Sequence, residues 1–386
     1  MNQNKRLIAA AIAGIVLLAA SAFALLSADP GQEHSPGRSL ADPSEEFIES
    51  SEHSSVSVER LIDDYREWAQ YPPNSRPLLP EHVDVLDYRK IAAPPQRMPR
   101  RDGDSFRDSG FSCQLQPERH SLTEGEEMRV FLSCMKTGQP ERQSVRIKEV
   151  KLEASAGDKK FRLPQAAFSD AGDKGDDASG DSVYTMVFRP RASDWADVYV
   201  TVNFWIEADQ SGFQHSLSTH FFSSPVAPAR FTGQFREKLV EGSLVVSVEV
   251  NALKPGSYTL EANLMKGEVP VGYARQDAEL PIGKSWVDLL YYGKVIRDRE
   301  QAGPFELAGL RGALSTDVIQ PAMLSRSPAE VEAFLASIRS EHPNRMLIPY
   351  LDSAYKTSAY SLSDFTSREY DSPEKQQRMD DLLALR

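Results

Sequence analysis

The chain has 386 residues, enough for two domains of ordinary size with linkers, and its 40% hydrophobic residues suffice to build real cores. Its formal net charge is −12. An acidic chain gains nothing from the release of cations bound to a phosphate backbone, so the composition argues against nucleic acid as a partner.

The first 28 residues decide the expected compartment. Lys5 and Arg6 precede the uncharged apolar run Leu7–Leu26, which as a helix would span about 30 Å, the thickness of a bilayer core. Residues 1–28 are therefore either an uncleaved membrane anchor or a signal peptide cleaved after Ala24 or Ala28, and the length of the run favours the anchor. We expect an exported protein, with its bulk in the periplasm and anchored in the inner membrane, or secreted to the cell surface if the segment is cleaved.

The segments that follow are predicted to lie outside any large core. Residues 29–56 are rich in Asp, Glu, Ser, Gly and Pro and predict an acidic flexible tether. Within 57–108, a short amphipathic helix is expected over Val58–Gln70, because its apolar residues recur at helical spacing. The prolines from Pro72 onward end this helix and predict an extended, stiff spacer.

Two stretches show the alternation of apolar and polar residues that is typical of strands. In 109–226 the clearest strand runs from Val198 to Ile206, and in 227–366 it runs from Leu244 to Val250. Turn-forming clusters separate the strands. The predicted fold class is mostly β, with two antiparallel β-sandwich (Ig-like) domains in tandem, an N-terminal membrane helix and short peripheral helices.

Two helices are expected near the C-terminus. Ser327 to Glu330 form a capping box with proline at the first helical position, which predicts a helix inserted near 328–340. Residues 367–386 carry a final helix whose apolar residues are Met379, Leu382 and Leu383. This stripe binds either the rest of the chain or a partner's groove, and docking within the chain is the favoured alternative.

The two cysteines, Cys113 and Cys134, are predicted to form a disulfide. They lie on neighbouring predicted strands of an exported protein, where such bonds persist. Metal ligation and thiol catalysis are the alternatives, and the absence of CxxC spacing argues against both.

A glycine-rich loop between two strands carries five aspartates, Asp170, Asp173, Asp176, Asp177 and Asp181. Calcium prefers several carboxylate oxygens at a flexible turn, so these residues are a weak calcium candidate. The loop does not follow the spacing of an EF-hand, and a solvated surface loop is the favoured interpretation. We therefore expect neither a metal nor another cofactor.

Aromatic residues on the Val198–Ile206 strand suggest a possible binding surface. Tyr199 and Trp205 lie on the face opposite the apolar residues, where exposed rings would stack on a surface glycan. Burial against the neighbouring domain is the favoured alternative, because large aromatic side chains are mostly buried.

The second predicted domain resembles a known family through a series of turn and strand signals. These occur in order at 242–244, 254–258, 292–296, 303–307 and 355–360. The pattern over roughly 230–366 is similar to the choice-of-anchor X type domain of bacterial surface proteins. The resemblance implies an exported β-rich surface protein of unknown function, and it supplies no catalytic residues.

No catalytic motif is present in the sequence. It lacks HExxH, GxSxG and a phosphate-binding glycine loop. The chain is therefore predicted to be a non-enzymatic, membrane-tethered envelope module that contacts another protein or a surface component. A carbohydrate-binding module is the first alternative, and a hydrolase whose site is not visible in the sequence is the second.

Overall fold

The structure is a computed structural model, and it describes residues 57–91, 93–156, 159–162, 167–190, 197–208, 213–315, 327, 329–333 and 345–385. The predicted membrane segment 1–28 and the tether 29–56 lie outside the described residues. In the described part of the chain, no helix has both the length and the apolar character needed to cross a membrane.

Strands dominate the described residues. Their bounds, in chain order, are β1 Ser75–Pro77, β2 Gln96–Asp102, β3 Ser105–Pro117, β4 Ser121–Leu122, β5 Met128–Lys136, β6 Arg146–Ala156, β7 Lys159–Arg162, β8 Phe168–Ser169, β9 Val183–Phe188, β10 Val198–Ala208, β11 Phe213–Ser223, β12 Ala229–Val240, β13 Ser243–Ala252, β14 Gly256–Lys266, β15 Val269–Leu280, β16 Gly283–Tyr291, β17 Glu306–Ser315 and β18 Arg345–Lys356.

The helices are short, with at most 11 residues each. They are α1 Val58–Trp68, α2 Val83–Leu86, α3 Gly293–Asp298 and α4 Pro373–Leu383, with a 3₁₀ turn at Leu362–Asp364. Ser57 caps α1 and Ser372 caps α4, each by accepting a hydrogen bond from the backbone N–H three residues later. Helix α1 begins at the predicted residue Val58, and α4 begins at Pro373, inside the predicted segment 367–386.

The first sandwich consists of two five-stranded sheets, ordered β2-β3-β5-β9-β8 and β4-β11-β10-β6-β7. All of its strand pairs are antiparallel except the short β4–β11 pair. Alternate residues of both sheets, such as Leu132 on β5 and Phe204 on β10, enclose one continuous apolar core. The period-two pattern seen in the sequence therefore corresponds to the buried faces of these strands.

The second sandwich consists of a three-stranded sheet, β12-β13-β16, and a five-stranded sheet, β1-β15-β14-β17-β18. Its core is separate from the first and includes Val248 and Leu260, together with the fully buried Tyr258 and Tyr291. The Tyr258 hydroxyl donates to backbone carbonyl oxygens, so this polar group is satisfied inside the core. A mostly β chain with several antiparallel sheets is thus confirmed.

The proline-rich segment predicted as a spacer differs from that expectation. Ser75–Pro77 adds to the edge of the second sandwich by pairing with β15, and Gln96–Asp102 pairs with β3 of the first. Between them, Leu78 and Val85 pack with Tyr273 on the outer face of the five-stranded sheet. Prolines at an edge strand lose no ladder hydrogen bond, so they permit this incorporation. We call residues 75–91 the strap.

The disulfide is confirmed. Cys113 on β3 and Cys134 on β5 are direct partners in the antiparallel register, and their sulfur atoms are bonded. Both side chains are fully buried in the first core. The bond therefore joins neighbouring strands of one sheet.

The helix predicted near 328–340 is described only in its first turn. Ser327 and Glu330 bond reciprocally, as the capping box predicts, and residues 329–333 are helical. The remainder of that predicted helix lies outside the described residues.

Candidate functional site

The strap brings arginine and tyrosine side chains together on the outer face of the second sandwich. They form a cation–aromatic stack whose members, in spatial order, are Arg76, Tyr273, Arg311, Tyr88, Tyr350 and Arg89. The Arg311 guanidinium lies 4.6 Å from the centre of the Tyr88 ring, and the Tyr88 and Tyr350 ring centres are 5.4 Å apart. Such stacks gain both dispersion and ring–cation attraction. The stack therefore holds the strap against β15, β17 and β18.

Hydrogen bonds join the same region to the first sandwich. The hydroxyls of Tyr350 and Ser121 are 2.9 Å apart, and Ser121 belongs to β4. The Leu347 N–H donates to the Ser224 hydroxyl at 2.9 Å, just beyond the end of β11. The Ser224 hydroxyl in turn donates to Asp197. These bonds fix β18 of the second sandwich against β4 and the end of β11 of the first.

A cleft of about 340 Å³ opens beside this contact. Its lining comes from β14, β17 and β18 of the second sandwich, from the strap, and from the loop before β4 of the first. The lining residues are Tyr88, His120, Thr259, Glu261, Arg311, Gly312, Ala313, Ser315, Arg345, Leu347 and Tyr350. Because they come from three separate parts of the chain, the cleft exists only when both sandwiches are folded and joined.

Strand register explains why the floor of the cleft is hollow. Ala313 lies directly between Thr259 on β14 and Leu347 on β18. Directly paired residues share a sheet face, so these three side chains form one row on the outer face. The small methyl group of Ala313 at the centre of the row leaves space above the sheet.

The arginines in and around the cleft differ in how they are paired. Arg311 donates to Glu261 at 2.8 Å and to the Gly309 carbonyl at 3.0 Å. Arg89 donates to Glu126, and Arg119 donates to the same carboxylate. Arg345 makes no ion pair with any described residue.

Burial shifts the titration of several groups in the cleft. The pKa of His120 is lowered, mainly because burial penalises its charged form and also because Arg345, Arg89 and Arg311 repel a proton. Burial also raises the pKa of Tyr350. At neutral pH the cleft thus presents a neutral imidazole, neutral phenols and guanidinium cations.

Among the described residues, the hydroxyl and carboxylate groups of the cleft are not hydrogen-bonded to its histidine. Ser315 and His120 both line the cleft, yet no hydrogen bond joins them among the described residues. The Thr259 hydroxyl instead donates to Asp277, and the Glu261 carboxylate is occupied by Arg311. What the groups can do is bind and orient a polar ligand.

The aromatic pair predicted from the sequence does not form one surface. Tyr199 is 47% exposed, so the expectation that it is buried against the neighbouring domain is wrong: its ring contacts Phe222 on β11, with 5.0 Å between the ring centres, and the rest of the side chain stays open to solvent. Trp205 is half-buried, with Lys151 Nζ 4.6 Å from its ring centre. The two residues are six positions apart on one strand, roughly 20 Å, so they cannot stack on a single sugar ring.

The five aspartates of the loop before β9 have different hydrogen-bond and ion-pair partners and do not converge on one point. Asp176 accepts from the Gly172 N–H and the Thr185 hydroxyl, and Asp173 accepts from the Ser169 hydroxyl. Asp177 pairs with Arg129 and Asp181 pairs with Arg142.

Asp170 also lies in this loop, and its carbonyl oxygen accepts from the Gly180 N–H. Among the described residues, no cluster of acidic, His or Cys side chains is arranged to hold a metal ion.

The three apolar residues of the C-terminal helix α4 differ in how deeply they are buried. Leu382 is buried, Met379 is half-buried and Leu383 is 36% exposed. Helix α4 packs on α1, and the Tyr370 N–H donates to the Gln70 carbonyl at 2.9 Å. Leu382 is thus part of the fold.

Sequence reasoning missed the residues of the cleft. His120, Arg311 and Arg345 belong to no motif, and more than 200 positions of chain separate the first from the last. Tyr350 stands in a tyrosine-rich stretch that is visible in the sequence, which is the only signal that points toward the site.

No protein-family model matches the chain, and no curated protein matches it. Two solved structures are similar in part. A DUF4785 family protein from Legionella pneumophila subsp. pneumophila str. Philadelphia 1 is 15% identical, with a TM-score of 0.38, over 55% of this chain and 54% of that one. A protein of unknown function from Porphyromonas gingivalis W83 is 11% identical, with a TM-score of 0.17, over 62% of this chain and 99% of that one.

The match to the first of these structures spans about half the length of that protein. The similarity to a choice-of-anchor X type domain stays a prediction, because neither solved structure is described as a member of that family.

Proposed function

We propose that this protein is an exported envelope module that binds a component of the cell surface in the cleft between its two sandwiches. The apolar run Leu7–Leu26 tethers it to the inner membrane, with residues 29–56 as the link. The disulfide Cys113–Cys134 supports export, because such bonds persist in oxidising compartments. The work of the module is binding and not catalysis.

The observation that carries this proposal is the cleft itself. It lies where two domains meet, the usual position of a ligand site, and hydrogen bonds such as Ser121–Tyr350 hold both walls in place. A site whose walls are already ordered loses little conformational entropy when a ligand binds. Its mixture of guanidinium, hydroxyl and apolar groups suits a polar ligand of small size.

A cleft-filling substitution tests this proposal. Ala313→Trp places a large ring on the floor, between Thr259 and Leu347. We expect the purified chain without residues 1–28, which would bind membranes by themselves, to sediment with isolated cell envelopes and the Ala313→Trp variant of that chain to lose the binding. The matched control is Val240→Trp, which adds the same ring at a 43% exposed position of β12, in the opposite sheet of the second sandwich. Equal binding by wild type and Ala313→Trp, with both folded, would rule out the cleft.

The tether is tested separately. N-terminal sequencing of protein recovered from membranes should show that residues 1–28 are retained. A mature chain that starts at Leu25 or Asp29 would replace the anchor with a cleaved signal peptide and leave export in place.

A carbohydrate-binding module is the second candidate, and one groove favours it. Between α1 and α4 lies a groove of about 420 Å³ that includes Tyr65, Trp68, Tyr71 and Tyr370. Trp68 is 63% exposed, and an exposed ring presents an apolar face to the C–H surface of a sugar. Quenching of tryptophan fluorescence by envelope oligosaccharides, lost in Trp68→Ala but kept in Trp286→Phe, would favour this candidate over the cleft.

A further inference from the structure

We propose that the ligand of the cleft carries an oxyanion, either a carboxylate or a phosphate, and that Arg345 is the residue that binds it. This inference rests on the proposed function, since it names the ligand class of that same site.

Two arginines, Arg311 and Arg345, line the cleft, and Arg345 is the one whose guanidinium is available to bind an anion. It is exposed at the start of β18, and none of the described residues forms an ion pair with it. Its guanidinium lies 5.3 Å from the centre of the Phe222 ring, at the end of β11 in the first sandwich. Stacking on a ring orients a guanidinium and leaves its N–H donors free at the edge of its plane.

Arg311 is already neutralised by contrast. Its Nε and Nη1 are used by Glu261 and the Gly309 carbonyl, and Tyr88 covers one face. Breaking the bond to Glu261 would leave a half-buried carboxylate without its cation, which is unfavourable. An incoming anion is therefore directed to Arg345.

A hydroxyl donor stands beside that cation. Ser315 is the direct partner of Arg345 in the β17–β18 register, and Ser257 is the direct partner of Ser315 on β14. Side chains of directly paired residues lie about 5 Å apart at Cβ on the same face. A guanidinium fork with a neighbouring hydroxyl matches the several acceptor sites of a carboxylate or phosphate.

The electrostatic field in the cleft favours the same class of ligand. Arg345, Arg89 and Arg311 together disfavour the protonated form of His120, and a field that repels a proton attracts an anion. The chain as a whole carries a net charge of −12. That surrounding charge repels highly charged polymers, so a single oxyanion on a compact ligand fits best.

The test uses isothermal titration of the full chain with four probes. Sodium glucuronate and glycerol 3-phosphate present the two oxyanions, and glucose and glycerol are their uncharged counterparts. We expect at least one anion to bind and its neutral counterpart to bind at least about tenfold more weakly, because a charge-assisted hydrogen bond is lost. Glucuronate binding alone assigns a carboxylate ligand, and glycerol 3-phosphate binding alone assigns a phosphate.

Variants assign the binding to Arg345. Arg345→Ala should raise the Kd of the bound anion about tenfold to a hundredfold, and Arg345→Lys should restore part of the loss. The matched control is Arg236→Ala, which removes another guanidinium that lies over an aromatic ring, 3.9 Å from the centre of Trp286. Its Kd should stay within about twofold of wild type, because a distant surface charge contributes little.

Two results would overturn this inference. The first is that each anion binds no more tightly than its uncharged counterpart, for both probe pairs. The second is that the Arg345→Ala variant binds the anion as tightly as wild type does. If Ala313→Trp abolishes envelope binding while neither anion binds, the proposed function stands and the oxyanion assignment fails. If Ala313→Trp binds envelopes normally while Arg345→Ala still weakens anion binding, the proposed function fails and the anion site remains.

Discussion

The ring of Tyr88 lies directly over the backbone of Gly309, where an added Cβ would come within 2.6 Å of the ring atom Cε1. Gly309 has a φ of +59°, which side chains rarely adopt. It sits in β17 beside Arg311, whose guanidinium covers the same tyrosine. The absence of a side chain at one position thus lets the strap contact the sheet and complete the cleft.

Gly309→Ala should therefore destabilise the fold through two effects. We expect a loss of roughly 1–2 kcal/mol from the left-handed backbone conformation and an additional loss from displacement of Tyr88. The control is Gly267→Ala, whose φ is +58° but whose Cβ would meet nothing within 4 Å. Urea unfolding should show a larger loss for Gly309→Ala than for Gly267→Ala. Equal losses would mean that the ring moves aside without cost.

The disulfide should make a measurable contribution to stability. A bond between residues 21 positions apart restricts the unfolded chain and stabilises by about 3 kcal/mol in the chain-entropy model. We expect the Cys113→Ala/Cys134→Ala protein to unfold at a correspondingly lower urea concentration. Labelling of the wild-type protein, isolated from cells, with a thiol reagent under denaturing, non-reducing conditions should detect no free cysteine. Two free thiols would contradict the bond and weaken the argument for export.

Helix α4 should depend on one leucine for its docking. Leu382→Ala should destabilise by about 2 kcal/mol or more, because it removes a buried side chain from the contact with the rest of the chain. Leu383→Ala, at the adjacent and more exposed position, should stay within about 0.5 kcal/mol of wild type. Differential scanning calorimetry separates the two variants. Similar melting temperatures would show that α4 docks weakly. They would favour the alternative in which this helix binds a partner's groove.

The free energy of unfolding should depend on pH through the protonation of His120. Its pKa in the folded protein lies below the usual 6.5, so the unfolded chain takes up a proton first as the pH falls. The stability that depends on neutral His120 is fully present above pH 6.5 and is lost as the pH falls below it. His120→Gln removes this dependence.

The measurement is the difference in melting temperature between wild type and variant, taken from about pH 7.5 to about pH 5. For His120→Gln the advantage of the wild type should shrink as the pH falls. The control is Ser315→Ala, which removes a side chain of the same cleft that does not titrate and should change the melting temperature equally at every pH. A flat difference for His120→Gln would contradict the predicted shift.

Much of the fold follows from local sequence patterns. The strand from Val198 to Ile206 alternates because one face of β10 packs in a core, and Ser57 and Ser372 begin helices because their side chains cap free N–H groups. The pairing of Cys113 with Cys134 also follows from the sequence, since these are its only cysteines. Each of these features depends on residues that are close in the chain or unique in it.

Other features were decided by tertiary structure. The prolines after Pro72 predict an extended segment, but only the folded sheets show that it supplies an edge strand to β15 and another to β3. Tyr199 alternates as a sheet residue, yet its exposure depends on what packs against that face, where the neighbouring Phe222 is buried and Tyr199 is not.

The cleft is the clearest feature that depends on tertiary structure. By itself, the sequence determined strands, helix caps and a disulfide, because periodicity, capping and cysteine pairing act over short or unambiguous separations. Only the tertiary structure brought His120, Arg311 and Arg345 to one site and left Arg345 without an acidic partner among the described residues. Charge pairing between distant residues depends on the packing of whole sheets, and no local pattern in the chain records it.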